Sequence, residues 1–291
     1  MRTKINPLPK HRVSEDDKKY QSKVEAPIAF PEGTGTKTAP GQGKKPKPTA
    51  ADLKAYVAKR AHEAGIDGPR YFIAPDGTKS QEVPQLEPAR IFQARADAVS
   101  ILYTDWNGRP YRNPEAATDA TRFFCRYRLA PWHETPDMKY WQPKGTGVHI
   151  YGNAIYWYFV RHGITTPTIV FCEGEFKAET LSANGIPAVA IAGISALTGA
   201  AKSEAAAMLD QLKPQRVSML FDQDATANAR KEHRAQNFAN SAWKFFDFAA
   251  DCDTAGRVLI PDDQLAGKGI DDVLNEATGT ERTAILRAIA H

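Results

Sequence analysis

Three acidic groups in the second half of the chain could do chemistry together. Glu173-Gly174-Glu175 directly follows the apolar run Thr168–Cys172, Asp222-Gln223-Asp224 follows Val217–Phe221, and Asp271 and Asp272 close the segment Lys268-Gly269-Ile270-Asp271-Asp272. One carboxylate at the end of a strand means little. Several brought to one edge repel each other unless a cation neutralises them. Carboxylate oxygens are hard ligands, which favour Mg²⁺ or Mn²⁺. Gly174 lets the chain turn sharply enough for Glu173 to face a cleft. Glu175 reads as a solvated helix residue.

The elements around these groups alternate. Thr168–Cys172, Ala188–Ala192, Val217–Phe221 and Val258–Ile260 read as strands. Phe176–Asn184, Lys202–Leu212, Asn228–Ala250, Ile270–Asn275 and Thr280–Ala290 read as helices, with a Gly/Ser-containing loop over Gly193–Gly199. Strands alternating with helices predict an α/β fold, a parallel sheet with helices on both faces. In such sheets chemistry sits beyond the carboxyl ends of the strands.

Ahead of this half the spacing predicts a small α+β module. A helix starts at Thr49, capped by Thr49 or Asp52, with Leu53, Tyr56, Val57 and Ala61 at helical spacing and Gly65 at its end. Tyr71–Ala74 reads as a strand followed by the turn Pro75-Asp76-Gly77. Val99–Tyr103 and Phe123–Leu129 are further strands, with a tight turn over Trp106-Asn107-Gly108-Arg109 between them. Lys139 to Gly147 reads as a Gly-rich loop. Arg126, Arg128, Lys139, Tyr140, Trp141 and Lys144 interleave cations with rings, a composition that grips single-stranded nucleic acid; the alternative is a hairpin whose rings pack on the sheet.

The chain has 291 residues and a formal net charge of +4, with pI about 8.8. The balance is mild but uneven. Lys and Arg crowd the first fifty residues, and Asp and Glu enrich the stretch after Thr166. That split suits a protein holding a polyanion with one part and divalent metal with another. Residues 1–49, rich in Pro, Gly, Lys and Thr, read as a disordered basic arm. The expected organisation is therefore an arm over 1–49, a nucleic-acid- or nucleotide-binding module over 50–160 and a catalytic domain over 161–291. Three scattered cysteines imply neither a zinc site nor disulfides, and a reducing cytoplasm fits. No signal peptide or membrane span is expected. The scattered histidines His133, His149, His162 and His233 have no ligand spacing and read as structural.

The ordered acidic set closely resembles the signature of the Toprim domain, a Rossmann-like fold shared by bacterial-type primases, topoisomerases of types IA and II and some nucleases and recombination proteins. Glu173 with Gly174 matches the first motif; Asp222 with Asp224 matches the second. The resemblance implies metal binding by Asp222 and Asp224, and a general acid/base or metal-ligating role for Glu173. It puts Lys177, Gly193 and Lys268 near bound phosphate or nucleotide. Asp271 and Asp272 resemble the later acidic pair of the primase-like branch. With Tyr127-Arg128, Lys139–Gly147 and His149-Ile150-Tyr151 upstream, residues from about Ala98 to Thr278 look like Toprim proteins of phage, plasmid and integrative-element replication modules. The implied activity is a primase-like nucleotidyltransferase in the cytoplasm of a bacterial host cell, using Mg²⁺ or Mn²⁺. Its partners would be a single-stranded DNA template, nucleoside triphosphates and a replicative helicase. A metal-dependent nuclease and a non-catalytic DNA-binding accessory protein are the competing expectations. The zinc-ribbon cysteines of bacterial-type primases and a helicase P-loop are missing from the sequence.

Overall fold

The computed structural model describes residues 48–64, 71–73, 79–81, 86–89, 98–103, 111, 124–132, 138–142, 147–193, 196–222, 232–261 and 269–290. The arm expected over 1–49 lies almost wholly outside these residues, as do the turns expected at 75–77 and 106–109.

Helix α1 (Ala50–Glu63) opens with a reciprocal cap. Thr49 Oγ1 accepts from the Asp52 amide at 3.3 Å, and Asp52 accepts from the Thr49 amide at 2.6 Å. The two alternatives for the cap thus act together, Thr49 as the N-cap and Asp52 as its partner in the first turn, each satisfying a donor otherwise left unbonded. Strands β1 (Tyr71–Ile73) and β2 (Lys79–Gln81) pair antiparallel. Strands β3 (Leu86–Ala89), β4 (Ala98–Leu102), β5 (Cys125–Leu129) and β6 (Tyr140–Trp141) form an antiparallel sheet in that order. The loop expected from Lys139 thus begins as an edge strand: Arg128 stands opposite Tyr140, and Tyr127 opposite Trp141. The aromatic pair on one face and the cation–ring pair on the other favour pairing over a free loop.

The remaining elements are β7 (Tyr151–Gly152), α2 (Ala154–His162), β8 (Thr168–Glu173), α3 (Glu175–Ala183), β9 (Ala188–Ile191), α4 (Gly199–Leu212), β10 (Arg216–Leu220), α5 (Glu232–Asp251), β11 (Ala255–Leu259), α6 (Ile270–Glu276) and α7 (Gly279–Ala290). Five strands pair in the order β11-β10-β8-β9-β7. All neighbours run parallel except β7, which is antiparallel to β9. The result is a mixed α/β protein with a mostly parallel sheet flanked by helices, compatible with a Rossmann-like arrangement. Residue 160 lies inside α2, and β7 joins the large sheet.

Burial explains the apolar runs. In β8, Ile169 and Phe171 enter a cluster with Met208, Leu209 and Leu212 of α4 and Phe245 and Phe248 of α5. Val170 and Cys172 enter a second cluster with Phe176 and Leu181 of α3 and Ile270 and Leu274 of α6. A strand covered on both faces has no polar side to show, hence the unbroken Ile-Val-Phe-Cys. The second cluster also takes Val99, Ile101, Tyr103 and Phe124, so the small sheet packs on the α3 side of the large one. Asn153, in the aromatic stretch before Val160, is the N-cap of α2. It is fully buried, accepts from the Tyr156 amide at 2.8 Å and donates to the carbonyls of Ala178 (2.8 Å) and Ile186 (2.9 Å). Among the described residues no helix is long and apolar enough to cross a membrane.

Candidate functional site

Strand order decides where a cleft opens. From β8 the chain moves to β9 on one side, then returns to β10 on the other. That reversal makes the gap between the carboxyl ends of β8 and β10 the topological switch point, where open α/β sheets bind ligands. Leu220 pairs with Cys172, so Glu173 and Asp222 emerge at this same edge. Gly174 turns the chain there at φ +103°, a conformation a side chain would strain, and its amide donates to Ile191 at 3.2 Å. Gly193 lies two residues beyond β9 with φ +135°.

Helix α6 brings a third group to this edge. A Cβ placed on Gly269 would lie 2.5 Å from Asp271 Oδ1, 2.9 Å from Lys177 Cε and 3.4 Å from Asp222 Oδ1. Residues far apart in sequence therefore converge on one glycine. Only the absence of a side chain there leaves them room. Lys177 Nζ donates to Asp222 Oδ1, a half-buried ion pair. Burial raises the pKa of Asp271; Lys177 opposes the shift and neighbouring Asp272 adds to it. Asp272 is exposed and turns back to accept from the Gly269 amide at 3.3 Å, so its oxygen serves the start of its own helix.

Oxygen donors of two carboxylates near one point suit a hard cation in chemistry. Glu173, at the same edge, is the third such group. Among the described residues no group of three or more His, Cys, Asp and Glu side chains is close enough to hold a metal ion. Asp224 and Lys268, both expected at the site, lie outside the described residues, as does Lys144.

The basic aromatic residues divide. Arg126 is buried at 8% exposure, and its Nη1 donates to Glu175 Oε1 at 2.6 Å. Tyr103 Oη donates to the same oxygen at 2.6 Å. Desolvation is the largest influence on the Arg126 charge and works against it, but Glu175 together with Tyr103 and Tyr140 outweighs it and raises the guanidinium pKa. Burial and the Glu175 charge likewise raise Tyr103 well above the ordinary phenol range. Glu175 is thus corrected: it is 1% exposed and ties α3 to the small sheet. A helix-start carboxylate two residues from a candidate catalytic one looks solvated until the facing sheet is known. Arg128 lies with its guanidinium 4.8 Å from the Tyr140 ring centre, and Arg126 at 4.6 Å. Trp141 packs against Tyr127 at 5.4 Å, and Lys139 is exposed. Burial pushes the Tyr140 phenol up to about 12, with Glu175 adding to the shift. Cys172 is fully buried, which raises its thiol pKa and fits a core residue. His149 packs at a tilt against Tyr111 and edge-on against Phe124, and contacts Glu204 through Nδ1 at 3.2 Å.

Gly269 and Arg60 escaped the sequence reading. Gly269 sits between the candidate residues Lys268 and Asp271, and Arg60 falls four residues after Tyr56, on the face that meets the core.

The fold and edge define a mostly parallel α/β protein with an acidic, lysine-bearing switch point. Over residues 156–281, which contain Glu173, Lys177, Asp222 and Asp271, the chain is similar to the family described as a domain of unknown function (DUF3854). No curated protein and no solved structure matches the chain.

Proposed function

We propose that the chain is a Toprim-type, primase-like nucleotidyltransferase that joins nucleotides into short primers on single-stranded DNA. The observation that carries this reading is the convergence of Asp222, Asp271 and Lys177 on Gly269 at the switch-point edge from which Glu173 also emerges. Bound Mg²⁺ or Mn²⁺ would supply charge stabilisation for the phosphorus oxygens and the leaving pyrophosphate. Asp222 and Asp271, with Asp224 and Glu173, are the residues to hold it. Glu173 would take the proton of an attacking 3′-hydroxyl, a role supported by its position at the end of β8, beside the end of β10 that leads to Asp222. Lys177 keeps Asp222 neutralised and oriented, and its ammonium is available to a phosphate once Asp222 engages a cation. A replicative helicase is the expected partner in a phage or plasmid replication module of a bacterial cell.

One observation favours the non-catalytic accessory reading. Lys177 already gives Asp222 a counter-charge, which a purely structural edge would also require.

The test is incubation with single-stranded DNA, labelled nucleoside triphosphates and Mg²⁺ or Mn²⁺, beside the Asp222→Ala/Asp224→Ala variant. Labelled oligonucleotides from the wild type alone support the primase. DNA degraded by the wild type alone moves the reading to a nuclease, and DNA binding without either activity moves it to an accessory protein.

A further inference from the structure

The face of the small sheet turned toward α3 carries Arg126 and Arg128, two residues apart on β5, with Tyr140 opposite Arg128. The two arginines differ in one respect. Arg126 has its charge met by Glu175. Arg128 has no carboxylate partner among the described residues. Its guanidinium lies over Tyr140, and its Nε–H is buried with no acceptor.

A second donor of the same kind comes from α1. The Arg60 guanidinium lies 4.6 Å from the Phe176 ring centre, and its Nη1 pairs with Glu63. Its Nε–H is also buried without an acceptor. The two guanidiniums lie over rings of one cluster, Arg128 over Tyr140 and Arg60 over Phe176, with Tyr140 packed against the buried residues that include Phe176. That phenol borders the acidic edge: Tyr140 Oη would lie 3.6 Å from a Cβ on Gly174, the residue after Glu173.

Buried N–H groups without acceptors are rare, because each has lost its water and gained nothing. Two on arginines that border one aromatic cluster call for one explanation. The charges sharpen it. Arg60 is offset by Glu63 and Arg126 by Glu175, which leaves Arg128 without a carboxylate among the described residues. An anion is the missing partner. A guanidinium offers Nε–H and Nη–H side by side, a fork that matches two oxygens of a phosphate. Phosphate has oxygens enough to engage arginines on two elements and still present one to the neighbouring edge.

We infer that Arg128 and Arg60, beside Tyr140, form a phosphate-binding site next to the Glu173–Gly174 turn. It takes either the polyphosphate of a nucleotide or a phosphodiester of a nucleic-acid strand. It rests on the phosphoryl-transfer reading only for which of these arrives. Arg126 takes no part, because Glu175 holds it.

The test measures binding by the full chain in EDTA, with three probes: inorganic triphosphate, ATP and a short oligothymidylate. Arg128→Gln and Arg60→Gln each weaken binding by about 10- to 100-fold, the worth of a charged hydrogen bond. Circular dichroism and the unfolding midpoint verify that each variant is folded. Arg128→Lys keeps the cation over Tyr140 but lacks the Nε–H, so it also binds weakly; it carries the test if Arg128→Gln does not fold. Loss confined to triphosphate and ATP assigns the site to the nucleotide, and loss confined to the oligonucleotide assigns it to the strand. No binding by the wild type, or equal binding by the folded variants, overturns the site. Because no metal and no turnover enter the readout, failed primer synthesis would leave this result standing, and the converse holds too.

Discussion

Arg126 of the small antiparallel sheet and Glu175 at the start of α3 form a buried ion pair, Nη1 to Oε1 at 2.6 Å, between elements forty-nine residues apart. Tyr103 donates to the same oxygen, and Tyr140 lies over Arg126. The pair fixes the small sheet against the helix that leaves the acidic edge, two residues after Glu173.

Removing one partner strands the other charge. Glu175→Ala and Arg126→Ala should each cost about 3–5 kcal/mol of stability, read from urea unfolding. The double variant should cost clearly less than their sum, because neither charge is then left alone. Strict additivity in this cycle would show that the pair does not couple the two elements.

Gly269 tests the edge without removing a functional group. Its φ of −109° is open to any residue, so the effect of Gly269→Ala is steric. The new methyl meets Asp271 Oδ1 and Lys177 Cε inside contact distance and displaces one of them. Titration with Mn²⁺ should show affinity lowered by about tenfold or more, in the range seen when the groups orienting a metal ligand are disturbed. Unchanged Mn²⁺ affinity would remove Asp271 and Asp222 from the proposed ligand set.

Tyr140 predicts an alkaline effect of definite sign. Its folded pKa, about 12, lies above the ordinary 10.0. The neutral phenol is therefore favoured by folding, and this contribution is complete below pH 10. It is lost as pH rises from 10 toward 12. The stability difference between wild type and Tyr140→Phe, followed by urea midpoints across that window, should shrink or reverse as pH rises. A difference independent of pH would contradict the burial of the hydroxyl.

Asn153 does three jobs with one amide. Asn153→Ala removes the α2 cap and leaves the carbonyls of Ala178 and Ile186 short of a donor. A loss of about 2–4 kcal/mol should follow in thermal or urea unfolding. Asn153→Asp keeps the cap acceptor but not the donor, so it should recover only part of that.

Much of the second half was legible in the chain itself. Apolar runs at Thr168, Ala188 and Val217 read as strands covered on both faces, and the acidic residues after the first and third fall at strand ends because a parallel sheet puts every carboxyl end on one side. Gly174 was legible for a local reason: its positive φ belongs to the turn alone. The cap at Thr49 and Asp52 was legible because its partners stand only three positions apart.

What the tertiary structure decided concerns pairs remote in sequence. No local pattern shows that Glu175 faces Arg126, that Lys177 pairs with Asp222, or that Gly269 is where Asp271, Lys177 and Asp222 meet. Nor does spacing reveal that β10 lies beside β8 rather than beyond β9, which is what opens the switch point. Strand identity is set by hydrophobic periodicity, a property of neighbours in the chain. The fate of each charge is set by which carboxylate or guanidinium the packing of distant elements brings to it, since burial makes an unmatched charge costly.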